Sequence, residues 1–179
     1  MKKVFCLKNF RSFLRGDGGV AAIEAGFLFP MMLTVLCGMI DVGSALIANL
    51  KVTTACQIIG DLLAREGTTN DAQIEDAIVA GRLALSPMKT ASYGVDVVGI
   101  RYLGSDLTPT VIWRETVNME EGDGIVERSA GLGREDEGIV AVAVTYTFKP
   151  FFAGYVMGNV EMREEAFTRG RKGLFVEKL

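Results

Sequence analysis

Histidine does not occur among the 179 residues of this sequence. Its absence removes His-assisted nucleophiles, histidine metal ligands and the usual general base near neutral pH, and leaves enzymes built on carboxylates or lysine as the open catalytic class. Cysteine is scarce, with three at positions 6, 37 and 56. On the topology argued below they fall on three different sides of a membrane segment, so neither an intrachain disulfide nor a metal-ligand spacing is expected. Leu36 is bulky where a lipid-acceptor cysteine needs a small neighbour, so Cys37 reads as a small apolar helix residue. Charge is also missing over one long stretch. From Ala25 to Leu50 the only charged residue is Asp41, and FLFPMMLTVLCGMI carries none.

What is present concentrates there. Hydrophobic residues make up 49% of the chain, and they gather early. A bilayer core of about 30 Å needs about 20 mostly apolar residues in a helix, and Val20–Leu50 supplies them, with Glu24 near its start and Asp41 in its last third. Before it stand Lys2, Lys3, Lys8, Arg11 and Arg15 against Asp17; after residue 50 there are 14 Lys+Arg and 19 Asp+Glu, a net of −5. Basic flanks stay cytoplasmic. The expected organisation is a basic leader (1–19), a transmembrane helix (20–48) and an extracytoplasmic domain (49–179). The acidic balance of the outer part argues against nucleic acid as a partner.

The helical pattern continues past the membrane. Across Ser44–Glu66, Ile47, Leu50, Thr54, Ile58, Leu62 and Leu63 fall near one face, with Lys51, Asp61 and Arg65 off it and Gly67 closing the helix. A second helix is signalled at Asn70–Leu85: Asn70 caps it with Gln73 reaching back, Asp71 sits in the first turn, and Ile74, Ala77, Ile78 and Leu85 form the apolar stripe. From residue 92 the period becomes that of strands, with a slip at Gly99, followed by strand candidates at Thr108–Val117, Gly138–Lys149 and Val160–Arg169. The fold class is therefore α+β: a long N-terminal helix entering a small domain with a second helix and about four antiparallel strands arranged as a meander. The acidic, glycine-rich stretch 119–138 matches no defined cation-binding loop and reads as a solvated connection. Trp113 reads as a core or sheet-face aromatic. No catalytic set, metal site or cofactor site stands out.

One carboxylate matters more. Glu24, at the cytoplasmic edge of an apolar helix, is expensive in hydrocarbon and asks for a positive partner, although a headgroup position would also accommodate it. Asp41 is read as the outer boundary of the span, with a second charge-pairing contact as its alternative. Pro30 is expected to kink the helix without ending it.

Small Gly19, four mostly apolar residues, Glu24 and a long apolar helix resemble the processing site of type IV prepilins. The run AAIEAGFLFPMMLTVLCGMIDVG resembles the TadE/TadG-like pseudopilins of tight-adherence pilus assembly, with Ala22-Ile23-Glu24, Pro30 and Ile40-Asp41-Val42-Gly43 in the matching places. Ala25 and Val42 depart from it where aromatics are usual. The resemblance implies a non-enzymatic, minor pilin-like component that packs its helix against other pilin-like subunits and the assembly machinery. It further implies cleavage by a prepilin peptidase between Gly19 and Val20. The protein would cross the inner membrane once, with its N-terminus cytoplasmic and its C-terminal domain periplasmic, or enter a pilus. The alternatives are a signal-anchored envelope protein of unrelated role, such as a carboxylate-based enzyme, and a secreted protein losing its first 45 residues.

Overall fold

The protein is described by a computed structural model that covers residues 17–65, 67–104, 106–121, 124–154, 158–171 and 176–179. The leader expected at 1–19 lies outside these residues except for its last three positions. Those three are helical: α1 (Asp17–Ala64) starts earlier than the expected boundary and runs 48 residues without interruption, about 72 Å at 1.5 Å per residue. Pro30 lies within α1 and does not break it. The Thr34 hydroxyl donates to the Pro30 carbonyl at 2.8 Å.

After a two-residue strand, β1 (Thr68–Thr69), comes α2 (Asp71–Ala84). Its capping box is complete: the Gln73 amide donates to the Asn70 side chain at 2.9 Å, and the Asn70 amide donates to the Gln73 side chain at 3.0 Å. Strands β2 (Gly94–Leu103), β3 (Thr108–Val117), β4 (Gly138–Phe148) and β5 (Val160–Arg169) follow, with a one-turn helix α3 (Ile125–Arg128) between β3 and β4 and a short β6 (Glu177–Lys178) at the end. The four long strands pair antiparallel in the order β3-β2-β4-β5, with a bulge between Gly99 and Ile100. The order departs from a plain meander. β4 passes over β3 to pair with the other edge of β2, because the segment connecting β3 to β4 crosses a sheet face.

That crossing gives the sheet two apolar cores. On one face Val95, Val97, Val140, Val142 and Val144 pack under α1 and α2. On the other, Val98, Ile100, Tyr102, Ile139 and Ala141 pack under Ile125 of α3. Stretch 119–138 is thus not simply a solvated connection. Ile125 and Ser129 are fully buried, the Tyr102 hydroxyl donates to the Ser129 carbonyl at 2.7 Å, and Gly133 lies flat on the Tyr102 ring, where a Cβ would sit 2.1 Å from it. Asp96, also fully buried on this strand, takes a fork from Arg114 at 2.9 and 2.7 Å.

The face of α1 that enters the domain differs from the one expected. Ala48, Val52, Ala55, Cys56, Ile59 and Leu63 are buried, whereas Ile47, Leu50, Thr54 and Leu62 are exposed and Ile58 is half-buried. Small residues decide this. Ala48, Ala55 and Gly60 let the helix backbone approach the sheet, with Gly60 so close to β5 that a Cβ would lie 2.7 Å from the Thr168 hydroxyl. The bulkier aliphatic stripe is left outside.

β6 pairs in parallel with β1, fastening the chain's last residues to the segment just beyond α1. The Trp113 indole N–H donates to the Val176 carbonyl at 2.8 Å. The ring covers Gly99 and is nearly buried.

Candidate functional site

From Val20 to Leu36, α1 has no packing against the described residues of the chain. Residues 20–36 are all exposed, with Phe27 at 80% and Met32 at 69%. α1 is long and apolar enough to cross a membrane. Such a surface in water would be an aggregation liability, so it needs lipid or other helices around it. Gly26, Gly38 and Gly43 have open space where a Cβ would point, so no neighbour among the described residues uses the close approach they permit.

The predicted site residues distribute along this helix. Gly19 and Val20 lie in its first turn, Val20 at 59% exposure. Glu24 is exposed and has no hydrogen-bond or ion-pair partner among the described residues. Pro30 lies one to two turns further on. Asp41 is different: it is 5% exposed, and its carboxylate accepts the backbone N–H groups of three successive residues of the β4–β5 connection. Oδ1 takes the Phe151 amide at 2.7 Å; Oδ2 takes the Phe152 amide at 3.0 Å and also the Ala153 amide. These are charge-assisted bonds from donors that no strand ladder uses.

Two more polar ties fix α1 to the domain within three turns of Asp41. The Asn49 amide donates to Glu164 on β5 at 3.1 Å. The Lys51 ammonium donates to the Ala84 and Ser86 carbonyls at 3.2 and 2.6 Å, where a cation also suits the negative end of α2. None of these tertiary partners was identifiable from sequence. Asp41 was singled out as a charge in an apolar run, but its partners are backbone groups 110 residues away, which carry no side-chain signature.

The remaining polar features serve the fold. A cleft of about 490 Å³ beside α2 holds Asp71 and Glu115, and both carboxylates are tied to Lys178 of β6, at 2.6 and 3.6 Å. Cys56 is buried, donates its thiol to the Val142 carbonyl at 3.1 Å, and is pushed up to about 12 by burial. Among the described residues no group of three or more Cys, Asp or Glu is placed to hold a metal ion.

The family model of TadE-like proteins matches residues 19–58. The chain carries a TadE-like segment. The match starts at Gly19 and takes in the exposed apolar half of α1, Asp41, and the first three turns that pack on the sheet. It covers most of α1 and stops short of the second helix and all the long strands, so the TadE-like segment is the stretch with no packing partner among the described residues together with the first part of its root in the domain. No curated protein and no solved structure matches the chain. The TadE-like match associates the protein with the tight-adherence pilus, and the apolar helix agrees with a membrane-anchored protein.

Proposed function

We propose that this protein is a minor pilin-like component required for assembly of a tight-adherence type IV pilus, acting through packing of α1 and lateral contacts of its outer domain. The observation that carries this reading is Glu24, a charge without a partner among the described residues, on a stretch of α1 (20–36) whose apolar surface is exposed throughout. In an assembled bundle Glu24 pairs with a cation on a neighbour. Prepilin peptidase cleavage after Gly19 would create that cation as the α-amino group of Val20, four residues from Glu24. A mis-registered helix leaves Glu24 unpaired in apolar surroundings, which is costly, so the pair sets axial register. The glycines at 26, 38 and 43 offer places where a second helix approaches closely. Pro30 lacks the N–H that would bond the Gly26 carbonyl, which removes one rung of the helix ladder beside Gly26. The basic leader keeps the N-terminus cytoplasmic and puts the outer domain in the periplasm.

The experiment is Glu24→Ala in the native host, read by surface pilus yield and by the mass of the mature N-terminus. The expected result is loss of pili with normal protein accumulation in the membrane, and a wild-type chain that begins at Val20. Wild-type pilus output from Glu24→Ala rules out the register role. A mature chain that begins at Met1 rules out the Val20 α-amino group as the partner.

A further inference from the structure

Asp41 and its three backbone donors hold the β4–β5 connection against α1 at a definite height, and the height is informative. Seventeen residues separate Glu24 from Asp41, about 26 Å of helix at 1.5 Å per residue. A hydrocarbon core of about 30 Å is crossed by about 20 residues. With Glu24 at the cytoplasmic edge of the core, Asp41 falls at its outer edge. The exposed apolar surface of α1 also continues beyond Asp41, through Val42 (62% exposed), Leu46 (62%) and Leu50 (66%).

At that level the domain turns its two most unusual surface residues outward. Phe151 is 78% and Phe152 56% exposed, consecutive aromatics at the tip of a connection whose backbone donors are spent on Asp41. A pair of phenylalanines in water gains nothing from this arrangement. Lys149, exposed, precedes them, and long basic side chains next to an apolar anchor reach back to lipid phosphates. Irregular backbone tolerates the edge of a bilayer only when its polar groups are satisfied internally, and Asp41 supplies that satisfaction while itself losing its exposure to water.

We infer that the 149–153 connection is a membrane-embedded foot: Phe151 and Phe152 insert into the outer leaflet at the boundary between headgroups and acyl chains, and the Asp41 clamp fixes the outer domain on the membrane surface. This rests on the membrane-anchored reading of α1, with which the Phe surface is continuous. The occupant is lipid.

The test uses the full chain in phosphatidylcholine–phosphatidylglycerol vesicles carrying phosphatidylcholine brominated either near the headgroup end or near the middle of the acyl chain. Bromine quenches indole by contact, and the native Trp113, nearly buried in the outer domain, gives the unquenched baseline. Phe152→Trp is expected to lose emission chiefly to the shallow bromines, Leu36→Trp chiefly to the deep ones, and Leu83→Trp, exposed on α2, to neither. Quenching of Leu36→Trp without any quenching of Phe152→Trp overturns the foot and leaves the anchor standing. Failure of Leu36→Trp to quench overturns both. In the Asp41→Asn background the shallow quenching of Phe152→Trp is expected to fall, because an amide oxygen holds the three N–H groups less strongly than a carboxylate. Unchanged quenching there overturns the clamp.

Discussion

Gly99→Ala is expected to loosen the far end of the chain from a position in the middle of the sheet. Gly99 sits at the β2 bulge, and a Cβ added there would meet the Trp113 ring at 2.2 Å from Nε1 and 2.3 Å from Cε2. These are ring atoms with no flexible terminus, so the whole indole must move. Two terms follow. Forcing an extra carbon into a packed core costs about 1–3 kcal/mol. Moving the indole breaks its 2.8 Å bond to the Val176 carbonyl and strands a buried donor and a buried acceptor, which costs about 1–3 kcal/mol more. The combined loss is about 2–6 kcal/mol. With an m-value of about 2 kcal/mol/M, the urea midpoint of the outer domain falls by about 1–3 M. Trp113 is the sole tryptophan, so its emission, recorded on the full chain in detergent micelles, reports both the unfolding and the displaced ring as a red shift in the folded baseline. In a Trp113→Phe background, followed by circular dichroism, the same substitution should cost less, because the six-membered ring is shorter and has no N–H to satisfy. An unchanged midpoint and emission maximum in Gly99→Ala would refute the steric argument. Equal costs in the two backgrounds would refute the assignment to the indole.

Two further outcomes test the helical parts. Asn70→Ala removes one half of the capping box on α2 and is expected to cost about 1 kcal/mol, within the 0.5–2 kcal/mol typical of lost N-caps; the urea midpoint measures it. Cys56 should resist maleimide in the folded protein and react once urea opens the core. Burial raises its thiol from 9.0 to about 12, so the folded state holds its proton where the unfolded state releases it. This contribution to stability is complete below about pH 9 and is lost as pH climbs towards 12. The stability difference between the wild type and Cys56→Ala should therefore shrink over that interval, and a constant difference would contradict the assignment.

How legible the fold was depended on whether a feature is local. Asn70 with Gln73 is a pattern of four residues, and the capping box formed where it was read. The slip at Gly99 came from a break in a two-residue period, and the bulge falls there. The bounds of β3 and β5 also coincide with the runs read from β-branched and aromatic residues. The buried face of α1 was misread because Ile47, Leu50 and Leu62 are large and apolar, and periodicity rewards size. The sheet instead took Ala48, Ala55 and Gly60, which permit closeness. In a chain that meets both lipid and protein, large aliphatic side chains do not distinguish the two apolar neighbours. The second core was hidden for a related reason. Ile125 is one apolar residue in an acidic, glycine-rich stretch, and what recruits it is the open underside of a sheet that does not exist until β2 and β4 pair. Asp41 with residues 151–153, and Thr68–Thr69 with Glu177–Lys178, are pairings through backbone groups over more than 100 residues.

The helix itself carries the argument furthest. α1 changes neighbours along its length without changing conformation: exposed on all sides from residue 20 to 36, tied by Asp41, Asn49 and Lys51 over three turns, then buried on one side from Ala48 to Ala64. A flexible joint at the point of exit would let the outer domain tumble relative to the membrane segment. The polar ties remove that freedom, because each of them spans from α1 to a different part of the domain: the β4–β5 connection, β5 itself, and the end of α2. A force or a displacement applied along the apolar half therefore moves the sheet as one body with it. This is the mechanical property that a register set at Glu24 would require if it is to determine which face of the outer domain a neighbour meets. It also places the TadE-like match in physical terms, since residues 19–58 contain the fully exposed apolar stretch, the clamp residue and the first part of the root, the parts through which position passes from the membrane to the domain.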